Sequence, residues 1–310
     1  MIMVRWLALI FPLLSLAAVA QTPPDPALSV PPDHIRIPVF VSDKKGNPVA
    51  DLREEDFRIL DNGKPAPIAR FLVVSAATPA PAHFTVFYLD DRHIKMDQMI
   101  DARKNIAAAL TTALDSNGYA AIVTGTGSIN SGFSRDPVEL RKTLDSTRTT
   151  TFAAEGPGFH NFDIIGTYSS LVDYASRMSR LPGRRLLVVF SPGFSSDLPE
   201  IRSAAAFSID RIMQSGVVLN AINTEDSSSG SLSSDNVVLD QLTVATGGTL
   251  FPGSAPPSIL TQYPECLYLL DISLSSIRAD GSLHQLKVAV SKTGSHVRAR
   301  SSFVAPSATR

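Results

Sequence analysis

The segment FYLDDRHIK, residues 87–95, ends an apolar run on two adjacent carboxylates, Asp90 and Asp91, and follows them with the guanidinium of Arg92 and the imidazole of His93. Paired carboxylates offer two kinds of chemistry. With a further acid such as Asp97 they supply the oxygen ligands that a hard divalent cation demands. With His93 as base they could begin a general acid–base site. Each reading has a plainer counterpart. Arg92 competes for the same oxygens, which makes Asp90 half of an internal salt bridge or a helix-capping carboxylate. One imidazole beside a carboxylate is ordinarily a surface or capping group.

Other segments carry weaker signals. Gly125, Gly127 and Gly132 in GTGSINSG fit neither a dinucleotide fingerprint nor a phosphate loop, and no Lys-Ser/Thr pair follows them; they turn one strand into the next. No Gly-x-Ser-x-Gly elbow occurs, and Ser195 in PGFSSD lacks the glycine that such a sharp turn needs. The remaining histidines are scattered without the spacing of a helical zinc site. Cys266, the single cysteine, lies in the apolar run ECLYLLDIS and reads as a small buried hydrophobe. Phe152, Phe159 and Phe162 stand among glycines in TTTFAAEGPGFHNF, where aromatics on a loop would meet a partner. The polar run TEDSSSGSLSSDN, residues 224–236, reads as a connection.

The elements that must position these residues follow from the pattern of apolar residues. A chain of 310 residues with 44% hydrophobic and 18% charged side chains buries a full core, and its formal charge of −1 gives no broad attraction for nucleic acid. Residues 1–20 have Arg5, an apolar stretch and a small-x-small ending, Ala18-Val19-Ala20, which reads as a secretory signal cleaved before Gln21. The proline-rich residues 21–33 are a linker. From 34 to 77 short alternating strands and turn signals define a β-rich flank: IRIPVFVSDKKGNPVADL reads as a β-hairpin whose turn contains Gly46, and Asp61-Asn62-Gly63 turns a second pair of strands. Residues 82–255 alternate strands with helices: FTVFYLD, YAAIVTGTG, RRLLVVFS and VVLNAINT are apolar runs, and Asp136-Pro137, Gly216 and Gly247-Gly248 mark helix ends. That order implies a doubly wound, mostly parallel sheet covered by helices on both faces. Residues 264–306 return to β grammar. Neither flank has enough strands to cover its own apolar face, so the two are expected to pair into one small β module.

The leader VFVSDKKGNPVADLREEDFRILDNGKP, the strand FTVFYLDD, RRLLVVFSPG, LDQLTVATGGTLF, and YLLDISL with GSLHQLKVAV together resemble the von Willebrand factor type A-like proteins of acidobacteria and other bacteria. The resemblance spans nearly all of the chain beyond the leader. It implies a Rossmann-like doubly wound sheet and an interaction function at the carboxyl ends of its strands. Many such domains hold a cation through Asp-x-Ser-x-Ser after the first strand, a distant threonine and a distant aspartate. On this sequence the first position is Asp90, but the serine positions fall on Arg92 and Ile94 and the later aspartate on Ser191; Thr167 or Ser169 is the candidate distant hydroxyl. The resemblance therefore implies a degenerate metal-ion-dependent adhesion site.

The sequence thus predicts an exported, periplasmic or extracellular, non-enzymatic module without cofactor, nucleic-acid partner or membrane span after signal cleavage. Its protein partner would meet loops near 91–96, 125–133, 150–163 and 191–198, with Arg92, His93, Phe152, Phe159 and Phe162 as contact residues. The alternative is a magnesium-, manganese- or calcium-dependent adhesion domain built on Asp90, Asp91 and Asp97. A hydrolase ranks third, because no nucleophile, base and orienting group converge.

Overall fold

The computed structural model describes residues 30–75, 82–150, 157–181, 183–193, 198–225 and 236–307. The leader, most of the linker behind it, Phe152, Ser195 and most of the polar run at 224–236 lie outside the described residues. No helix among the described residues is long and apolar enough to cross a membrane.

Five parallel strands form the central sheet: β5 (His83–Leu89), β6 (Gly118–Thr124), β7 (Arg184–Ser191), β8 (Val218–Asn223) and β9 (Leu250–Pro252). Their spatial order is β6-β5-β7-β8-β9, and β5 to β8 are almost wholly buried, as near-continuous apolar runs with helices on both faces require. Helices α1 (Met96–Ala113), α2 (Pro137–Ser146) and the short α6 (Pro257–Leu260) pack on one face. Helices α3 (Pro157–Met178), α4 (Pro199–Gln214) and α5 (Val237–Thr246) pack on the other. The expected local signals act as caps: Asp136 accepts from the Val138 and Glu139 amides at the start of α2, and Gly247 closes α5 in the left-handed conformation. The expected α/β doubly wound fold holds.

Both flanks supply strands to each of two antiparallel sheets. The inner sheet has the order β12-β1-β10-β4, in which β1 is His34–Ser42, β4 Arg70–Ser75, β10 Cys266–Ser273 and β12 His296–Ala299. The outer sheet has the order β13-β11-β2-β3, in which β2 is Phe57–Asp61, β3 Lys64–Ala66, β11 Leu283–Val290 and β13 Ser302–Val304. One expectation needs correction. The chain after the Asp43–Pro48 turn does not return as the second strand of a hairpin with β1; only a bridge between Ser42 and Pro48 remains. β1 instead pairs with β10 and β12 from the other end of the chain.

The inner sheet belongs to two cores at once. Leu267 and Leu269 of β10, with Leu72 and Val74 of β4, join the core of the α/β unit around Leu186 and Val218. Their alternates Cys266, Tyr268, Leu270 and Ile272 join Ile37, Val39 and Phe57 between the two antiparallel sheets. Strand periodicity alone produces this division. On the side facing the α/β unit, Arg36 of β1 and Asp271 of β10 form a two-pronged ion pair, with Nε to Oδ1 at 2.7 Å and Nη2 to Oδ2 at 2.8 Å; the side chains are 1% and 0% exposed. In the outer sheet, His284 of β11 is held by Asp61 at 2.8 Å and Asp280 at 3.3 Å.

Two outcomes follow. Asp271→Ala removes the carboxylate that offsets a buried guanidinium and is expected to cost about 3–5 kcal/mol in denaturant unfolding, whereas replacing Arg36 and Asp271 together by apolar residues should recover most of that loss. Burial opposes the charge of His284, but its bonds to Asp61 and Asp280 outweigh burial and raise its pKa. A raised folded-state pKa means that the contribution is complete below the unfolded value, near pH 6.5, and is lost as pH rises through the folded value. Melting curves across that window should show this decline in the wild type and a smaller one in His284→Gln.

Candidate functional site

In the order β6-β5-β7-β8-β9 the chain goes from β5 to one side and then returns to the other, so the crevice outside the carboxyl ends of β5 and β7 is the topological switch point where open α/β sheets bind ligands. Asp90 follows β5 and Ser191 ends β7; the two meet there. Ser191 Oγ donates to Asp90 Oδ2 at 2.7 Å, and His93 Nδ1 lies 2.9 and 3.0 Å from the two Asp90 oxygens. Asp90 is 0% exposed, and a carboxylate so buried must be met by donors. Burial disfavours protonation of His93, yet its hydrogen bond and charge interaction with Asp90 prevail and raise its pKa.

Asp91 is equally buried and turns the opposite way, toward β6. Its Oδ1 accepts from the Thr126 amide at 2.9 Å, and its Oδ2 accepts from Thr126 Oγ1 at 2.6 Å and Thr150 Oγ1 at 2.9 Å. The Thr150 amide also donates to the Asp91 carbonyl at 2.7 Å. One carboxylate thereby ties together the loop after β6 and the segment after α2. Gly125 is needed in that loop, since a Cβ there would stand 2.7 Å from Tyr88 Oη and 3.4 Å from Asp91 Oδ1. Burial first, then the negative charge of Asp90, pushes the Tyr88 hydroxyl well above its ordinary pKa.

The residues selected from sequence are only partly brought together. Arg92 does not pair with Asp90; it reaches Asp163 on α3 at 3.2 Å, because its side chain leaves the strand end toward the opposite helix layer. Asp97 does not join Asp90 and Asp91: it is an exposed residue in the first turn of α1, while the other two carboxylates are buried against separate partners. Among the described residues no group of three His, Cys, Asp or Glu side chains is arranged to hold a metal. Thr167 is fully buried and its hydroxyl has no partner among the described residues, whereas Ser169 is exposed and bonds back to its own helix. Residues 157–163 are not a loop but the opening of α3, so Phe159 and Phe162 belong to a helix that begins at Pro157. Phe162 is 73% exposed. Met96 and Ile100, one turn apart on α1, are 71% and 58% exposed, and helical spacing alone does not tell them from the buried Met99 and Ile106. Thr126 and Thr150 were also missed, since nothing local links them to Asp91.

A divalent cation at Asp90 would need the oxygens that Ser191 and His93 already engage, and the positions expected to carry serine hydroxyls are a guanidinium and a buried isoleucine, Ile94. The donor set does not fit the group. Nor does it form a nucleophilic triad, because Ser191 donates to the carboxylate and not to the imidazole.

The class defined by this topology is an α/β doubly wound domain carrying a two-sheet antiparallel module. No protein-family model and no curated protein matches the chain. Among solved structures it is similar to an aerotolerance-related membrane protein from Bacteroides fragilis, with 10% identity and a TM-score of 0.40, over 57% of this chain and 94% of that one. It is similar to BatB from Bacteroides thetaiotaomicron at 8% identity and a TM-score of 0.38, over 55% and 89%. The N-terminal domain of TFIIH p34 matches at 17% identity and a TM-score of 0.35, over 60% and 97%. At these values the likenesses carry no argument, and the class rests on the chain's own strand order.

Removing the central acid tests the network. Asp90→Ala leaves the Ser191 hydroxyl and the His93 Nδ1–H without their acceptor and is expected to cost about 1–3 kcal/mol. Urea unfolding of the two proteins measures it, and equal stability would show that these bonds are not holding the strand ends.

Proposed function

We propose that this is an exported, non-enzymatic interaction module of the von Willebrand type A-like class, which binds a protein partner at the carboxyl edge of its parallel sheet without a bound metal. The observation that supports this best is the closure of Asp90 by Ser191 and His93 at the switch point, where a cation would otherwise be needed to offset the carboxylate. The same edge exposes Met96 and Ile100, with Phe162 at the start of the neighbouring helix layer, and Arg92 and His93 immediately precede α1 in sequence and remain partly accessible. Exposed apolar and aromatic side chains beside charged groups suit a protein partner.

The alternative, a divalent-metal-dependent adhesion domain with a divergent site at Asp90 and Asp91, draws on the buried Thr167 hydroxyl, which has no partner among the described residues. It requires Asp90 to exchange its present donors for a cation. A hydrolase has less support, since the Ser191 hydroxyl is bonded to the buried Asp90 carboxylate and the His93 imidazole is on that carboxylate too, not on the hydroxyl.

Affinity capture from the native envelope discriminates among these. A protein retained by the wild type in chelator, lost with a Met96→Ser/Phe162→Ser double variant and kept with Val138→Ser on α2, supports the metal-free edge. Capture that requires magnesium or manganese, or that ignores the double variant, contradicts it.

A further inference from the structure

We infer that Asn62-Gly63, the connection between β2 and β3, is a site of spontaneous deamidation and backbone isomerisation in the folded protein. The reaction needs a side-chain amide carbon, an unengaged amide nitrogen on the following residue, and room for the ring that joins them. Asn62 and Gly63 are exposed. Among the described residues the Gly63 amide makes no hydrogen bond, and a Cβ at Gly63 would meet nothing within 4 Å, so the space beside the glycine is open. Asn62 holds a left-handed backbone, φ 48°, the one non-glycine residue among those described with positive φ. Its side-chain oxygen accepts from the Gln285 amide at 2.9 Å, and that donor stabilises the negative charge which develops on the oxygen when the carbon is attacked.

The other asparagines lack one of these conditions. Asn117 also precedes glycine, but the Gly118 amide is tied to the Asp115 carbonyl at 3.2 Å, and a Cβ there would overlap the Ala113 carbonyl oxygen at 2.0 Å. Asn47 is followed by Pro48, which has no amide hydrogen. The amides after Asn130 and Asn223 are bonded to Ile122 and Ser191 across the sheet.

The step balances without an oxidant or cofactor. The Gly63 nitrogen gives up its proton and bonds to Asn62 Cγ, the bond from Cγ to the side-chain nitrogen breaks, and ammonia leaves carrying that proton. Water then opens the succinimide at either carbonyl, giving aspartate or isoaspartate at position 62. Isoaspartate lengthens a two-residue connection whose flanking pair, Asp61 and Lys64, is fixed in register, and it displaces the turn that donates the Asn62 amide to the Gln285 carbonyl at 2.8 Å. Either product adds a carboxylate beside Asp61, which already holds His284.

The test is prolonged incubation of the folded full-length mature protein in mildly alkaline buffer, followed by peptide mapping that distinguishes asparagine, aspartate and isoaspartate. The expected result is conversion at Asn62 several-fold ahead of Asn117, abolished in Asn62→Gln, and accompanied by a lowered melting temperature in the isoaspartate fraction only. Asn62→Asp separates the effect of charge from that of the added backbone atom. Absence of conversion at Asn62, or conversion at Asn117 at an equal or greater rate, overturns the inference.

Discussion

Burial of β10 on both faces is the constraint on which the rest of the structure depends. A strand flanked by β1 and β4 and covered above and below cannot be reached by solvent at either its ladder or its side chains. Its odd-numbered leucines complete the core of the α/β unit, and its even-numbered residues complete the core between the antiparallel sheets. Tyr268 adds a polar tie, donating to the Val49 carbonyl at 2.7 Å and accepting from the Leu52 amide at 3.2 Å. The two ends of the chain must therefore be in place before either core is complete. Without a disulfide available to its single cysteine, the chain relies on this shared strand and on the Arg36–Asp271 pair beside it. The pair costs desolvation, so its contribution lies more in fixing the β1–β10 register than in net stability.

The same reasoning from burial governs the functional edge. Two carboxylates sit where the parallel strands end, and neither can be left without donors. Asp90 is met by groups from β7 and from its own turn, Asp91 by hydroxyls from two loops. Their demands fix how the loops around the switch point are held. Asp90 resolves locally across neighbouring strands, whereas Asp91 reaches Thr150, 59 residues along the chain. Groups held in this way are already ordered, which would lower the ordering cost for a partner of the kind proposed.

Much of the fold was legible because it rests on short-range rules. Continuous apolar runs marked β5, β7 and β8, Asp136-Pro137 marked the start of α2, and Gly247 marked the end of α5. The site was less legible because its bonds are long-range. Adjacency in sequence joined Arg92 to Asp90, while in space the guanidinium faces Asp163, 71 residues away, and Asp90 takes Ser191 at a separation of 101. Ser191 was noticed as the absence of an aspartate; that its hydroxyl would serve the carboxylate it replaced needed the register of β5 on β7. The loop reading of residues 149–162 followed their glycines and gave no place to Pro157, which opens α3. For β1, the Gly46 turn implied a local hairpin, and only the unsatisfied faces of both flanks pointed to the distant partner it has.

The central claim is that the switch-point carboxylates are satisfied by the protein's own donors and not by a cation. Melting temperatures of the wild type and Asp90→Ala, each with excess magnesium or manganese and with chelator, test it most directly, because a cation that binds only the folded state must raise stability. The account predicts that each protein melts at the same temperature with and without cation, with Asp90→Ala lower in both. A cation-dependent rise in the wild type that vanishes in Asp90→Ala would contradict it and make Asp90 a metal ligand.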